Sequence, residues 1–257
     1  MKGVIVLSAA IAIMAGSGTA QRPTASTKRT SVSVPFVGCP SDGQTGPVKA
    51  PGGKAPAVQI GAKLANRLAY YSSAQDLGVL APRGWHCFGT YGSGGEQVFV
   101  SPEPVNAKDL FSDDWNGFLG TAVQLDHSYG GTSGRFNVAE IIARVFPAYQ
   151  WFAASVNREL SPPDKFSFGP NPKETLTYKT KTVAEYLTPA QTDGLGTHFG
   201  LKKNDASIMG AAALVERVPD SLLLAVRLPP ELAELTPAII HEVEREAERR
   251  PQPRGVR

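Results

Sequence analysis

Apolar and polar residues alternate with two different periods along this chain, and the changes of period mark its elements. From Ala62 the spacing is helical: Leu64, Leu68 and Tyr71 recur at i, i+4 and i+7, Lys63 and Arg67 face away, and Gly78 closes the segment. The period then shortens. Residues 85–91 and 97–100 alternate in strand fashion on either side of Gly92-Ser93-Gly94-Gly95, which predicts a hairpin, and 122–125 reads as a further short strand. The longest helical stripe follows, through Val138, Ile141, Ile142, Val145, Tyr149, Phe152 and Val156. Pro147 lies inside it, and the residue before a proline resists α geometry, so a kink or a second helix is predicted there. Ser161-Pro162-Pro163 ends it.

Residues 175–180 carry Leu176 and Tyr178 between polar neighbours and read as a strand. Residues 206–218 and 222–228 are apolar strands joined at Pro219-Asp220-Ser221, an antiparallel hairpin. Ile239, Ile240, Val243 and Ala247 give a terminal helix with a charged outer side. Strands arrive as hairpins without regular alternation with helices. The predicted fold is therefore α+β: mainly antiparallel sheet from hairpins, packed against two or three amphipathic helices, with long Pro/Gly-rich loops.

The two ends do not fit this periodic pattern. Residues 1–20 read as a secretory signal peptide, with Lys2 in a positive n-region, an apolar core from Val4 to Met14, and small residues at Gly18-Thr19-Ala20. The apolar core is too short for a membrane span, which takes roughly 20 residues. Residues 21–34 read as a flexible leader, 35–250 as one globular domain, and 251–257 as a disordered basic tail. Within the domain, 35–56 is crowded with Pro and Gly and is expected to be irregular. The protein is thus expected to be exported, soluble, and periplasmic or extracellular. The most apolar later stretch, 211–228, is interrupted by Glu216, Arg217, Pro219, Asp220 and Arg227, so no membrane span is expected.

Charge narrows the partner classes. Without Lys2, 25 basic side chains face 23 acidic ones, and the basic residues are scattered. A nucleic-acid partner needs a clustered basic surface, so none is expected. The two cysteines, Cys39 and Cys87, are predicted to form a disulfide in an oxidising compartment. The bridge closes a loop of about 48 residues and contributes about 4 kcal/mol in the chain-entropy view.

Candidate chemistry concentrates in Asp126-His127-Ser128-Tyr129-Gly130-Gly131-Thr132-Ser133-Gly134-Arg135, where a strand gives way to the long helix. Ser133 is a candidate nucleophile, His127 or His198 its base, and Asp126 or another carboxylate the residue that orients the base. Gly131, Thr132, Ser133, Gly134 and Arg135 together are a candidate anion-binding helix terminus. Departures from known patterns weigh against catalysis. Gly131-Thr132-Ser133-Gly134 lacks the G-x-S-x-G spacing of a nucleophile elbow, and no phosphate-cradling G-x-x-x-x-G-K-[ST] run occurs. The plainer account is a polar turn in which Thr132 or Ser133 caps the helix.

Trp85 and Phe88 read as a packed corner beside the disulfide; with Trp85 and Cys87 pointing inward, His86 points outward. The Gly-rich stretch 191–200 reads as a connection between strands or a mobile binding lip. The four histidines, His86, His127, His198 and His241, are widely separated and no H-E-x-x-H pattern occurs, so no metal or cofactor is expected. These readings favour an exported binding or accessory protein without catalysis, its partner a small ligand or an envelope protein. The alternatives are a serine-dependent hydrolase using the 130–135 turn, and a structural envelope component docking through an aromatic patch.

Overall fold

Strands from both halves of the chain pair into one large sheet, those of the second half rich in Val, Leu and Ala, and helices and a smaller sheet pack on its two faces. The computed structural model describes residues 31–162 and 165–253. It begins with short strands β1 (Ser31–Val32), β2 (Phe36–Gly38), β3 (Ser41–Gly43) and β4 (Val58–Gln59), followed by a one-turn helix α1 (Ala62–Ala65). Next come β5 (Leu68–Ser72), β6 (Gly78–Pro82), β7 (His86–Gly92), β8 (Gly95–Ser101), a short helix α2 (Ala107–Leu110) and β9 (Ala122–Ser128). The helices α3 (Arg135–Val145) and α4 (Gln150–Asn157) precede β10 (Thr175–Tyr178), β11 (Val183–Thr188), β12 (Ile208–Val215) and β13 (Asp220–Arg227), and α5 (Thr236–Arg249) closes the fold.

The large sheet has the order β10-β11-β12-β13-β9-β8-β7-β3 and is antiparallel except at its β7–β3 edge, which is parallel. A second sheet, β2-β5-β6, also mixes a parallel pair (β2–β5) with an antiparallel one, and β1 pairs with β4. The fold is α+β with mixed as well as antiparallel sheets.

Strand alternation assigns the faces. Leu222, Leu224, Val226, Ala211, Ala213 and Val215 point to one side, where they meet Ile239, Ile240 and Val243 of α5 and Leu68, Tyr71 and Leu80 of the small sheet. Leu223, Ala212 and Leu214 point to the other side, against Val138, Ile141, Ile142 and Val145 of α3 and Phe152 of α4. Each fully buried leucine here contributes about 1.5–3 kcal/mol of burial free energy.

Pro147 divides the long stripe as its chemistry requires: α3 stops at Val145, a 3-10 turn spans Pro147–Tyr149, and α4 starts a new helix at Gln150. The 85–100 hairpin and the terminal helix form where the periodicity places them. Cys39 and Cys87 are bonded, Cα–Cα 5.3 Å apart.

Several elements differ from the sequence expectation. The helix expected from Ala62 is only one turn long, and Leu68 and Tyr71 belong to β5, paired with β6 up to Gly78. Leu68, Ala69 and Tyr71 are all fully buried, so a strand enclosed by neighbours replaces the one-sided helix that their spacing suggested. The 35–56 segment is not wholly irregular, since β2 and β3 each add a parallel edge. Residues 31–34 of the presumed leader are part of the fold: β1 pairs with β4, and Val34 is buried. The signal peptide and leader residues 1–30 lie outside the described residues. The start of the basic tail is held too, the Pro251 carbonyl accepting the Glu216 N–H at 2.7 Å. β11 has no counterpart in the sequence reading. The β12–β13 turn falls at 216–219 and not at 219–221, because Asp220 already pairs with Val215.

Candidate functional site

The polar flank of α3 is built by helical spacing. With Ile141, Ile142 and Val145 committed to the core, Glu140 and Arg144 share the side that faces the 193–198 segment. Between them and that segment lies a pocket of about 310 Å³, lined also by Asn171, Asp193, Leu195, Thr197 and His198.

The facing wall is held by a hydrogen-bonded network rather than hanging free. The Glu174 carboxylate accepts the Leu195 N–H at 2.7 Å and the Asn171 amide at 2.9 Å, and also accepts the Thr188 hydroxyl. Thr188 Oγ1 in turn accepts the Gly196 N–H at 3.0 Å. Leu195 and Gly196 are buried within a 3-10 turn, Leu195–Thr197, and Thr197 Oγ1 accepts the Gly194 N–H at 3.0 Å. In place of a mobile lip, the stretch forms a stapled wall of the kind that pre-organises a site.

The charges in this pocket are largely unspent. Glu140 and Arg144 stand at i and i+4, in the order that favours an ion pair, yet no ion pair joins them. Among the described residues Glu140 has no hydrogen-bond or ion-pair partner, and the Arg144 side chain makes one long contact, Nη1 to the Gly169 carbonyl at 3.4 Å. Asp193, by contrast, is paired with Lys203 at 2.6 Å. His198 packs edge-on against Phe199, and its Nε2 is enclosed without a hydrogen-bond partner. Burial lowers the His198 pKa and favours the neutral imidazole, with Glu140 and Arg144 acting on it in opposite directions.

The other sequence candidates are distributed elsewhere. Asp126, His127 and Ser128 lie within β9, which runs past the expected end at 125. Asp126 and His127 are consecutive, so they point to opposite faces and Asp126 does not orient His127. Asp126 Oδ1 accepts the Ser128 hydroxyl at 2.7 Å and Oδ2 the Gln97 amide at 2.9 Å. Burial nevertheless pushes its pKa up to about 7, against the pull of those two donors. His127 sits between two carboxylates, Nδ1 3.3 Å from Glu96 Oε1 and Nε2 3.6 Å from Asp220 Oδ2. Burial opposes its protonation, but the Asp220 and Glu96 contacts outweigh that and raise its pKa. Tyr129 donates to Glu96 at 3.1 Å, and Asp220 Oδ1 accepts the Gly130 N–H at 2.8 Å. This cluster ties three strands and a turn together. It underlies a shallow groove of about 440 Å³ bordered by Tyr129, Thr132, Arg217 and Val218.

Ser133 is exposed, and its Oγ lies 3.3 Å from Ser93 Oγ, with no histidine among its hydrogen-bond partners. Ser133, His127, His198 and Asp126 therefore do not converge on one centre. Neither Thr132 nor Ser133 caps α3, whose N-cap is Gly134 with no side-chain cap hydrogen bond; Thr132 instead braces the turn, its hydroxyl donating to the Tyr129 carbonyl at 3.0 Å and accepting the Gly134 N–H at 3.3 Å. Arg135 is occupied by Glu159 at 2.7 Å and lies over the Phe136 ring. The glycines answer to space. A Cβ on Gly130 would sit 1.9 Å from the Pro219 carbonyl oxygen, and one on Gly134 would sit 1.9 Å from that of Gly94. Gly131 meets no such neighbour. Trp85 is half-buried beside the disulfide and His86 is exposed.

Sequence reasoning singled out His198 and its loop but missed Glu140, Arg144, Asn171 and Glu174. The one signal for them was an acid and a base at i, i+4 on the longest helix, a pattern that ordinarily denotes a solvated ion pair. No protein-family model, curated protein or solved structure matches the chain. Among the described residues no three His, Cys, Asp or Glu side chains are grouped to hold a metal ion, and no helix is long and apolar enough to cross a membrane.

Proposed function

We propose that this is an exported binding protein that holds a small polar ligand between α3 and the 193–198 wall. One observation carries the proposal: Glu140 and Arg144 border the same pocket and neither charge is neutralised by the protein. Charged groups beside a concave, partly desolvated surface gain most from a partner, and a bound ligand supplies one. The pocket volume lies at the low end of the range for small-molecule sites. The stapled wall supports binding without a large ordering cost. The signal-like N-terminus and the disulfide support export to an oxidising compartment. The hydrolase alternative gains nothing from the geometry, because Ser133 has a serine and not a base beside it.

The test is a thermal-shift and NMR screen of small polar metabolites on the wild type and on Glu140→Ala/Arg144→Ala. The expected result is a compound that raises the wild-type melting temperature and loses this effect in the double variant. At a concentration of 100 times Kd, such a ligand stabilises by about 2.7 kcal/mol. If no compound shifts the wild type, or if hits act equally on the double variant, the pocket is not a binding site.

A further inference from the structure

We infer that the pocket selects small zwitterions of the amino-acid type, with an ammonium group placed on Glu140 and a carboxylate on Arg144. The inference rests on the binding reading above and specifies its ligand. Glu140 and Arg144 are one helical turn apart, with Cα atoms separated by about 6 Å along the axis. Their charges form a fixed dipole along the pocket wall. A ligand carrying both signs answers it by lying antiparallel, whereas an anion or a cation alone leaves one side chain unpaired.

The remaining lining groups are consistent with a ligand of zero net charge. Asp193 is neutralised by Lys203, and His198 is kept uncharged by burial, so the free charges are one carboxylate and one guanidinium. Arg144 spends little of its capacity on the Gly169 carbonyl, leaving its planar fork able to take a carboxylate through two parallel hydrogen bonds. Glu140 is acceptor-only when ionised, which suits a three-donor ammonium. Leu195 and Ile141 also line the pocket but are buried, so recognition rests on its polar groups. At about 30 Å³ per water, the volume corresponds to about ten water molecules, which gives room for an amino acid or a very short peptide.

The experiment is isothermal titration with free L-amino acids and glycyl dipeptides, each compared with its N-acetyl and its C-terminal amide derivative. The expected result is that at least one parent compound binds and that either blocking group weakens binding at least tenfold. Glu140→Gln should abolish discrimination against the N-acetyl form, and Arg144→Gln discrimination against the amide, while both variants keep the wild-type melting temperature without ligand. If the metabolite screen yields pocket ligands but no zwitterion of this series binds, the zwitterion inference falls and the binding reading stands. The same holds if blocked and parent compounds bind alike. If no compound of either set depends on Glu140 and Arg144, both fall.

Discussion

Asp126 provides the sharpest test of the physical picture. Its carboxyl is buried beneath α3, with Ser128 and Gln97 as hydrogen-bond partners and a pKa raised to about 7 by burial. In the unfolded chain it returns to an ordinary carboxylate pKa of about 3.9. Between these two values the folded protein binds the proton more tightly, so the contribution to stability is fully present below about pH 4 and is lost as the pH rises to about 7. The gap of about three units corresponds to about 4 kcal/mol in total, of which about 3 kcal/mol is lost between about pH 5 and pH 8.

Asp126→Asn keeps a neutral group of the same shape that can still accept from Gln97 and donate to Ser128, and it cannot ionise. Urea unfolding of both proteins at about pH 5 and pH 8 measures the difference directly. Relative to the wild type, the variant should gain about 3 kcal/mol of stability over this interval. Glu244, also raised to about 7 by burial, titrates in both proteins, whereas His127, raised by its carboxylate partners, interacts with Asp126, so its titration is followed by NMR in both. A wild-type–variant difference that stays constant with pH, or that moves the other way, refutes the claim that this carboxyl is held neutral.

Further outcomes follow from the geometry and from the sequence. Replacing Cys39 and Cys87 together by alanine should cost about 4 kcal/mol in urea unfolding, because the bridge closes a 48-residue loop and ties the Pro/Gly-rich segment to β7. Intact mass of exported protein should give a chain starting near Gln21 with no alkylatable thiol before reduction, and a loss below about 1 kcal/mol would place the stabilisation elsewhere. Ser133→Ala should change stability by less than about 0.5 kcal/mol, whereas Thr132→Ala, which removes the turn's two hydroxyl hydrogen bonds, should cost about 1 kcal/mol. A well-folded Ser133→Ala that abolishes turnover of ester substrates by an active wild type would restore the hydrolase reading.

The sequence by itself determined those features whose cause is local. Pro147 divides the long helix because a proline N–H is missing and its ring crowds the preceding turn, whatever the surroundings. Gly92 to Gly95 permits the hairpin, and the stripe from Ile239 to Ala247 suffices for a terminal helix. The disulfide was legible because the chain has only two cysteines. Tertiary structure decided the rest. Leu64, Leu68 and Tyr71 satisfy a helical period, but burial on both sides and pairing with β6 make the latter two a strand. The Gly130–Arg135 turn resembled a reactive loop because glycines required by nearby carbonyl oxygens look, in sequence, like glycines that cradle a ligand. The pocket was invisible for a related reason. Glu140 and Arg144 spell an ordinary surface pair, and only the placement of the Glu174-anchored wall opposite α3 makes them two charges awaiting a partner.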